Sequence, residues 1–106
     1  MRSSVIAIFT FSATTVAAAQ SLETMNLASN LGTVLAAEEA CGLSFKQAAI
    51  EAFINDKVPA DDMEFPSMLT VMTDGSRIQL KSMSQSQKTA HCRQISRIAK
   101  SYGFIE

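Results

Sequence analysis

The sequence of 106 residues contains nine Lys or Arg, ten Asp or Glu and a formal net charge of −1, and 47% of its residues are hydrophobic. A chain of this length forms one domain with one core and is too short for two. Because it is slightly acidic rather than strongly basic, its composition disfavours a nucleic-acid-binding protein.

The first 19 residues have the three parts of a secretory signal peptide. Arg2 supplies the positive start, residues 5–16 are apolar, and residues 17–19 are alanines suited to cleavage before Gln20. The apolar stretch of about a dozen residues is shorter than the roughly 20 that span a bilayer, which disfavours transmembrane anchoring. We expect cleavage near Ala19–Gln20, export to the periplasm or the medium, and a single domain formed by residues 20–106.

Two helices are predicted in the first half of this domain. The first covers residues 22–41 and stops at Gly42. In the second, Ser44 as N-cap with Gln47 three residues later forms a capping box, and Pro59 ends the helix. The apolar faces are Leu27, Leu31, Val34 and Leu35 in the first helix, and Phe45, Ala49, Ile50, Phe53 and Ile54 in the second.

A third helix is predicted over residues 60–75, with Asp61 or Asp62 near its positive end. Pro66 either lies in the first turn of a helix that begins near Phe65, or kinks a helix that begins near Ala60. Asp74 and Gly75 indicate a turn, after which residues 76–83 form an extended connector or a short helix. The predicted apolar face is Phe65, Met68, Leu69 and Met72.

The last predicted helix begins with a second capping box, Ser84 and Gln87, and runs to Tyr102. Gly103 stands where a left-handed residue ends a helix, and Phe104 is expected to fold back onto the final turn. The predicted fold class is therefore all-α, a small bundle of about four helices. The apolar face of this helix is Cys92, Ile95, Ile98, Ala99 and Tyr102.

Cys41 and Cys92 are the only cysteines, and His91 is the only histidine. In an oxidising compartment we expect a structural disulfide between the two cysteines, joining the first helix to the last. A thiol enzyme using Cys92 is the alternative, but adjacent helical residues do not face one another, so His91 is poorly placed to activate the sulfur. No metal-ligand spacing and no C-x-x-C motif occurs, so neither a metal site nor a thioredoxin-like redox pair is expected.

Charge is unevenly distributed along the chain. Residues 20–74 are acidic, whereas the remainder is basic, and Arg93, Arg97 and Lys100 form a stripe at i, i+4 and i+7 on the last helix. The stripe is a possible interaction surface for an anionic partner. The alternative, favoured here, is that it is solvated and lies near the acidic half of the same molecule. Since no aromatic residues lie between the cations, a nucleic-acid platform is not predicted.

No hydrolase motif, phosphate loop or glycine-rich cradle occurs in the sequence, so no catalytic residue and no cofactor is predicted. The leading hypothesis is a non-enzymatic binding or interaction protein, periplasmic or secreted, with a protein partner or client that sequence does not identify. A stress chaperone that loosens at acid pH is the alternative.

The segments "LAAEEACGLSFKQAAIEAFI", "ADDMEF" and "SQSQKTAHCRQISRIAKSYGF" resemble a group of short exported proteins of alphaproteobacteria. Members have a signal peptide and two cysteines in corresponding places, and the likeness covers most of the mature chain. The group has no established activity, so the resemblance implies no catalytic residues. Some members are labelled "signal recognition particle", a role contradicted here by the lack of a GTPase phosphate loop and by the export signal.

A second likeness is architectural. The chain is similar to the HdeA-type periplasmic acid chaperones, which are also small, helical, exported and tied by one disulfide of similar span. Cys41 and Cys92 are the positions that correspond. This sequence departs from that family because it has no tryptophan and shares no motif around either cysteine.

Overall fold

The computed structural model describes residue 4 and residues 14–106, and the side chains of residue 4 and residues 22–106. The described chain folds into four helices: α1 (Thr14–Ala40), α2 (Gln47–Lys57), α3 (Phe65–Lys81) and α4 (Gln85–Ser101). The predicted all-α fold of about four helices with one disulfide is confirmed.

Most of the predicted signal peptide, including Arg2 and the apolar stretch up to residue 13, lies outside the described residues. The first helix starts at Thr14, upstream of the predicted start at Leu22, and includes the three alanines 17–19, which are strong helix formers. Cleavage before Gln20 stays a prediction, and it would leave residues 20–40 of α1. In the part of the chain that is described, no helix has the length and apolar character needed to cross a membrane.

α1 and α3 form the main helix pair, and they run parallel. In the first half of α1, Thr24 Oγ1 donates a hydrogen bond of 2.7 Å to Oδ2 of Asp62, which lies just before α3. Further along both, Gly32 lies against Thr73, and a Cβ on Gly32 would be only 3.0 Å from the Thr73 backbone nitrogen. Parallel neighbours cannot be joined by a tight turn, so α2 with its two flanking loops forms the connection.

The absence of a side chain at Gly32 lets α1 approach α3. We expect Gly32→Ala to lower the free energy of unfolding by about 1–3 kcal/mol, since the added methyl meets backbone atoms that cannot move aside cheaply. The gain of about 1 kcal/mol that alanine brings to a helix interior offsets part of the steric cost, so the net loss lies toward the lower end of this range. Urea denaturation measures the change. Gly75→Ala is the matched control, because a Cβ there has no heavy atom within 4 Å; destabilisation by both variants alike would contradict the close-approach explanation.

The core lies between α1, α3 and α4 and continues to the loop before α2. The predicted apolar face of α1 is confirmed, with Leu31 and Val34 fully buried and Leu27 and Leu35 partly buried. Small residues of α1 were missed, since alanine gives a weak periodic signal. The buried apolar residues are Ala28, Leu31, Val34, Ala36, Ala37, Phe45, Phe65, Leu80, Ile95, Ala99 and Phe104.

The end of α1 and the start of α2 differ in how well they were predicted. Gly42 adopts a positive φ of 66°, as expected for a helix stop. The capping box at Ser44 and Gln47 is wrong, because α2 begins at Gln47 with Lys46 as N-cap and no side-chain cap. Two longer-range bonds hold the preceding backbone extended instead: Phe45 N–H donates to Glu38 Oε2 at 2.7 Å, and Lys46 N–H donates to the Phe104 carbonyl at 2.9 Å.

α2 ends at Lys57 with Val58 as its C-cap, directly before the proline that was predicted to stop it. None of its residues is fully buried. Of its predicted apolar face, Phe45 lies before the helix and is buried, whereas Ala49, Ile50, Phe53 and Ile54 are only half-buried and pack against the core from outside. α2 is therefore a peripheral helix.

α3 begins at Phe65, with Pro66 in its first turn, so the kinked alternative is wrong. Asp62 occupies the predicted position near the positive end, where its Oδ1 accepts hydrogen bonds from the Glu64 and Phe65 backbone N–H groups at 3.1 and 3.2 Å. The predicted turn at Asp74 and Gly75 is also wrong. The helix continues through residues 76–81, because Thr73 and Leu80 are buried and packing holds this part helical.

α4 and the C-terminal residues follow the prediction closely. Both hydrogen bonds of the capping box between Ser84 and Gln87 are present. The helix ends at Ser101, Gly103 has a φ of 80°, and the Phe104 N–H donates to the Ala99 carbonyl at 2.9 Å. Phe104 is thereby turned back into the core, where it is fully buried.

Candidate interaction surface

The three cations predicted as a stripe lie on the exposed side of α4. Arg93, Arg97 and Lys100 are all exposed, whereas Ile95 and Ala99 on the opposite side are buried. With a rise of 1.5 Å per residue, the stripe is about 10 Å long. α4 itself contains no Asp or Glu. We call these three residues the basic face of α4.

The basic face has no ion-pair partner among the described residues, where three salt bridges are found, all elsewhere. The one side-chain hydrogen bond made by these cations is a weak one, from Arg97 Nη1 to Gln94 Oε1 at 3.4 Å. The favoured expectation was that the stripe is solvated and lies near the acidic half of the same molecule; the exposure of the three cations agrees with a solvated stripe, and no described carboxylate forms a salt bridge with it. The three positive charges are therefore available to a partner.

Cys41 and Cys92 are joined in a disulfide with a Cα–Cα distance of 5.3 Å, so the expected staple between the end of α1 and α4 is present. Neither sulfur is free to act as a thiolate in this state. His91 precedes Cys92 on α4 and is half-buried. Within the described residues, His, Cys, Asp and Glu side chains form no group of three that could hold a metal ion.

A shallow groove of about 540 Å³ lies between α2 and the end of α4. Its apolar wall includes Ala49, Phe53 and Tyr102, and the rings of Phe53 and Tyr102 are 4.6 Å apart. At its rim, Lys57 Nζ lies 3.5 Å from Asp56 Oδ2. The groove thus offers a ligand apolar contact, together with the polar groups of Asp56, Lys57 and Ser101 in its lining. Sequence reasoning missed it, because the pairing of α2 with the end of α4 has no local signal.

No family model, no curated protein and no solved structure matches the sequence or the fold of this chain. Function must therefore be inferred from the surface itself.

An exposed ion pair joins the loop before α2 to the last residue. Lys46 Nζ lies 2.9 Å from Glu106 Oε1. The hydrogen bond from Lys46, together with its positive charge, lowers the pKa of the Glu106 carboxyl below its ordinary value of 4.5. Because the pKa is lower in the folded state, the pair stabilises the fold above about pH 4.5, and this contribution is lost as the pH falls through the lowered pKa.

We expect Lys46→Gln to raise the titration midpoint of the Glu106 carboxyl toward 4.5, which carbonyl-detected NMR measures residue by residue. Lys57→Gln is the control, since it removes an exposed lysine that is paired with Asp56 instead. Equal midpoints in the original protein and the Lys46→Gln variant would show that the pair does not form in solution.

Proposed function

We propose that this protein is a non-enzymatic, exported binding protein that holds an acidic protein surface on the basic face of α4. The observation that carries the proposal is the exposure of Arg93, Arg97 and Lys100 on a helix without acidic residues. Three like charges in fixed positions attract a negatively charged partner and orient it. The buried side of α4 and the disulfide hold the helix in place, so the backbone that carries the cations needs no reorganisation on binding.

An acidic protein fits this face better than a nucleic acid does. Proteins that bind single-stranded nucleic acid place aromatic rings between their cations, and no aromatic residue occurs within α4. Tyr102, just beyond the helix, packs against Phe53 and Phe104. The net charge of −1 also opposes sequence-independent binding to phosphates.

Two observations support export and the absence of catalysis. The signal-like residues 1–19 direct the chain out of the cytoplasm, and a disulfide persists in an oxidising compartment such as the periplasm. The sequence lacks a catalytic motif, and the two cysteines that could have supplied a nucleophile are bonded to each other. The resemblance to short exported two-cysteine proteins has the same implication.

The test compares two charge-reversed variants of equal net charge. Partners are captured from a periplasmic extract, identified by mass spectrometry and titrated in purified form. We expect Arg93→Glu/Arg97→Glu to weaken the complex at least tenfold and 0.5 M salt to dissociate it, because screening weakens exposed charge pairs. Lys57→Glu/Lys88→Glu is the matched control and should bind normally. Equal binding by both variants would exclude the basic face as the contact.

An acid chaperone is the second candidate, and the peripheral position of α2 favours it. α2 has no fully buried residue and is held by half-buried contacts of Ile50, Phe53 and Ile54. Its release would expose these side chains and the aromatic residues beneath them. At about pH 3 we would then expect binding of a hydrophobic dye and suppression of client aggregation. A protein that stays compact and inert toward clients at this pH is not a chaperone of this kind.

A further inference from the structure

The side of α3 that faces away from α1 carries exposed apolar residues. Val71 is 64% exposed and Ile78 is 69% exposed. Gly75 lies four residues after Val71 and three before Ile78, so all three share one face of the helix. We call these three residues the outer face of α3. In the described part of the chain, no element covers it.

Gly75 has no function in the packing of a single chain. A Cβ at this position would meet no heavy atom within 4 Å, in contrast to Gly32, where the backbone of α3 is 3.0 Å away. The positive φ angles in the described residues belong to Gly42 and Gly103, so the backbone does not require glycine here. Glycine destabilises a helix interior relative to alanine, and close approach of another backbone is one of its main uses. A helix that packs on this face from outside the chain would explain it.

We propose that α3 of a second copy packs antiparallel on this face, with the two Gly75 residues opposite each other at a two-fold axis. In such a dimer the same patch is used by both chains. Val71 lies about 6 Å before Gly75 along the helix and Ile78 about 4.5 Å after it. Each Val71 is therefore placed beside the Ile78 of the other chain, and both exposed aliphatic side chains are covered.

Charge favours the antiparallel over the parallel arrangement. The exposed acids Asp61 and Glu64 precede α3, whereas the exposed cation Lys81 ends it; Arg77, one turn earlier, is paired with Asp74 of the same helix at 3.2 Å. An antiparallel pair brings the acidic end of one helix toward the basic end of the other, and a parallel pair would place like charges together. Because one helix per chain forms the contact, the interface is small and the dimer is weak and concentration-dependent.

Analytical ultracentrifugation of the disulfide-bonded protein at concentrations up to about 1 mM tests the dimer. We expect reversible dimerisation, and we expect Ile78→Glu to weaken it at least tenfold without changing the thermal midpoint, since Ile78 is exposed in the single chain. Leu22→Glu is the matched control, because Leu22 is an aliphatic residue of α1 that is 59% exposed. A protein that remains monomeric, or equal weakening by both variants, would overturn the proposal.

Cysteine cross-linking tests the orientation. Gly75→Cys places its sulfur atoms near the two-fold axis, and we expect a covalent dimer under mild oxidation, with the Cys41–Cys92 bond retained. Ser67→Cys lies about 12 Å from Gly75 along α3, so in an antiparallel pair the two new cysteines are about 24 Å apart and do not react. Cross-linking of both variants would indicate parallel packing, and cross-linking of neither would indicate that α3 is not the interface; either result overturns the proposal.

Discussion

The Cys41→Ser/Cys92→Ser variant is expected to lose up to about 4 kcal/mol of unfolding free energy. The disulfide closes a loop with a sequence separation of 51, and removing it returns conformational freedom to the unfolded chain. This loss is comparable with the whole stability of a small domain, so a large share of the variant would be unfolded at 37 °C. Urea denaturation followed by circular dichroism measures the change.

Chemical reduction of the unsubstituted protein provides the control for the serine replacements. If loop closure is the cause, the reduced protein and the double variant should have the same denaturation midpoint, since both lack the same cross-link. A double variant as stable as the oxidised protein would mean that packing alone holds the end of α1 against α4.

Phe104→Ala is expected to destabilise the fold by about 3–5 kcal/mol, the usual cost of deleting a fully buried aromatic side chain. The Phe104 ring is fully buried and lies 5.6 Å from Phe45, 5.7 Å from Phe53 and 5.4 Å from Tyr102 between ring centroids. Its removal leaves a cavity where the loop before α2, α2 itself and the end of α4 meet. Thermal and urea unfolding measure the loss.

Met63→Ala is the control for Phe104→Ala. Met63 is 83% exposed, so its truncation should change the stability by less than about 0.5 kcal/mol. A small effect of Phe104→Ala would show that the C-terminal residues are not packed in solution. In that case the groove beside Phe53 and Tyr102 would not persist either.

Sequence patterns predicted the helix ends correctly where the residues that form the cap or stop lie within one turn of each other. The capping box of Ser84 and Gln87 is present because both partners lie within one turn and no distant group competes for their hydrogen bonds. Gly42 and Gly103 end their helices because a left-handed residue there costs glycine little. The same reasoning predicted the return of Phe104.

Local signals failed where a distant group determines the backbone. The capping box of Ser44 and Gln47 does not form; instead the Phe45 and Lys46 N–H groups are bonded to Glu38 and to the Phe104 carbonyl, and α2 begins only at Gln47. Asp74 and Gly75 were interpreted as a turn, yet burial of Thr73 and Leu80 against the rest of the core keeps α3 continuous across them. Neither contact has a signature within the few residues that such patterns cover.

The candidate surface was predictable only in part. The spacing of Arg93, Arg97 and Lys100 placed them on one face, because helical periodicity is a local property. Whether a carboxylate of the acidic half lies against these cations depends on tertiary packing, and the spacing of residues along one helix does not predict tertiary packing. The parallel contact of α1 with α3 was not predicted either. Gly32 allows this contact because it has no side chain, and a missing side chain adds nothing to an apolar pattern.

The hydrogen bond from the Lys46 N–H to the Phe104 carbonyl links the folding of α2 to the order in which the chain is synthesised. Synthesis produces residue 46 long before residue 104, so the first turn of α2 lacks this hydrogen bond until the C-terminal residues are present. The ion pair between Lys46 and Glu106, whose sequence separation is 60, and the bond between Cys41 and Cys92 impose the same delay. α1 and α3 can pair early, but the contacts that anchor α2 and the end of α1 form only after the last residues have been made.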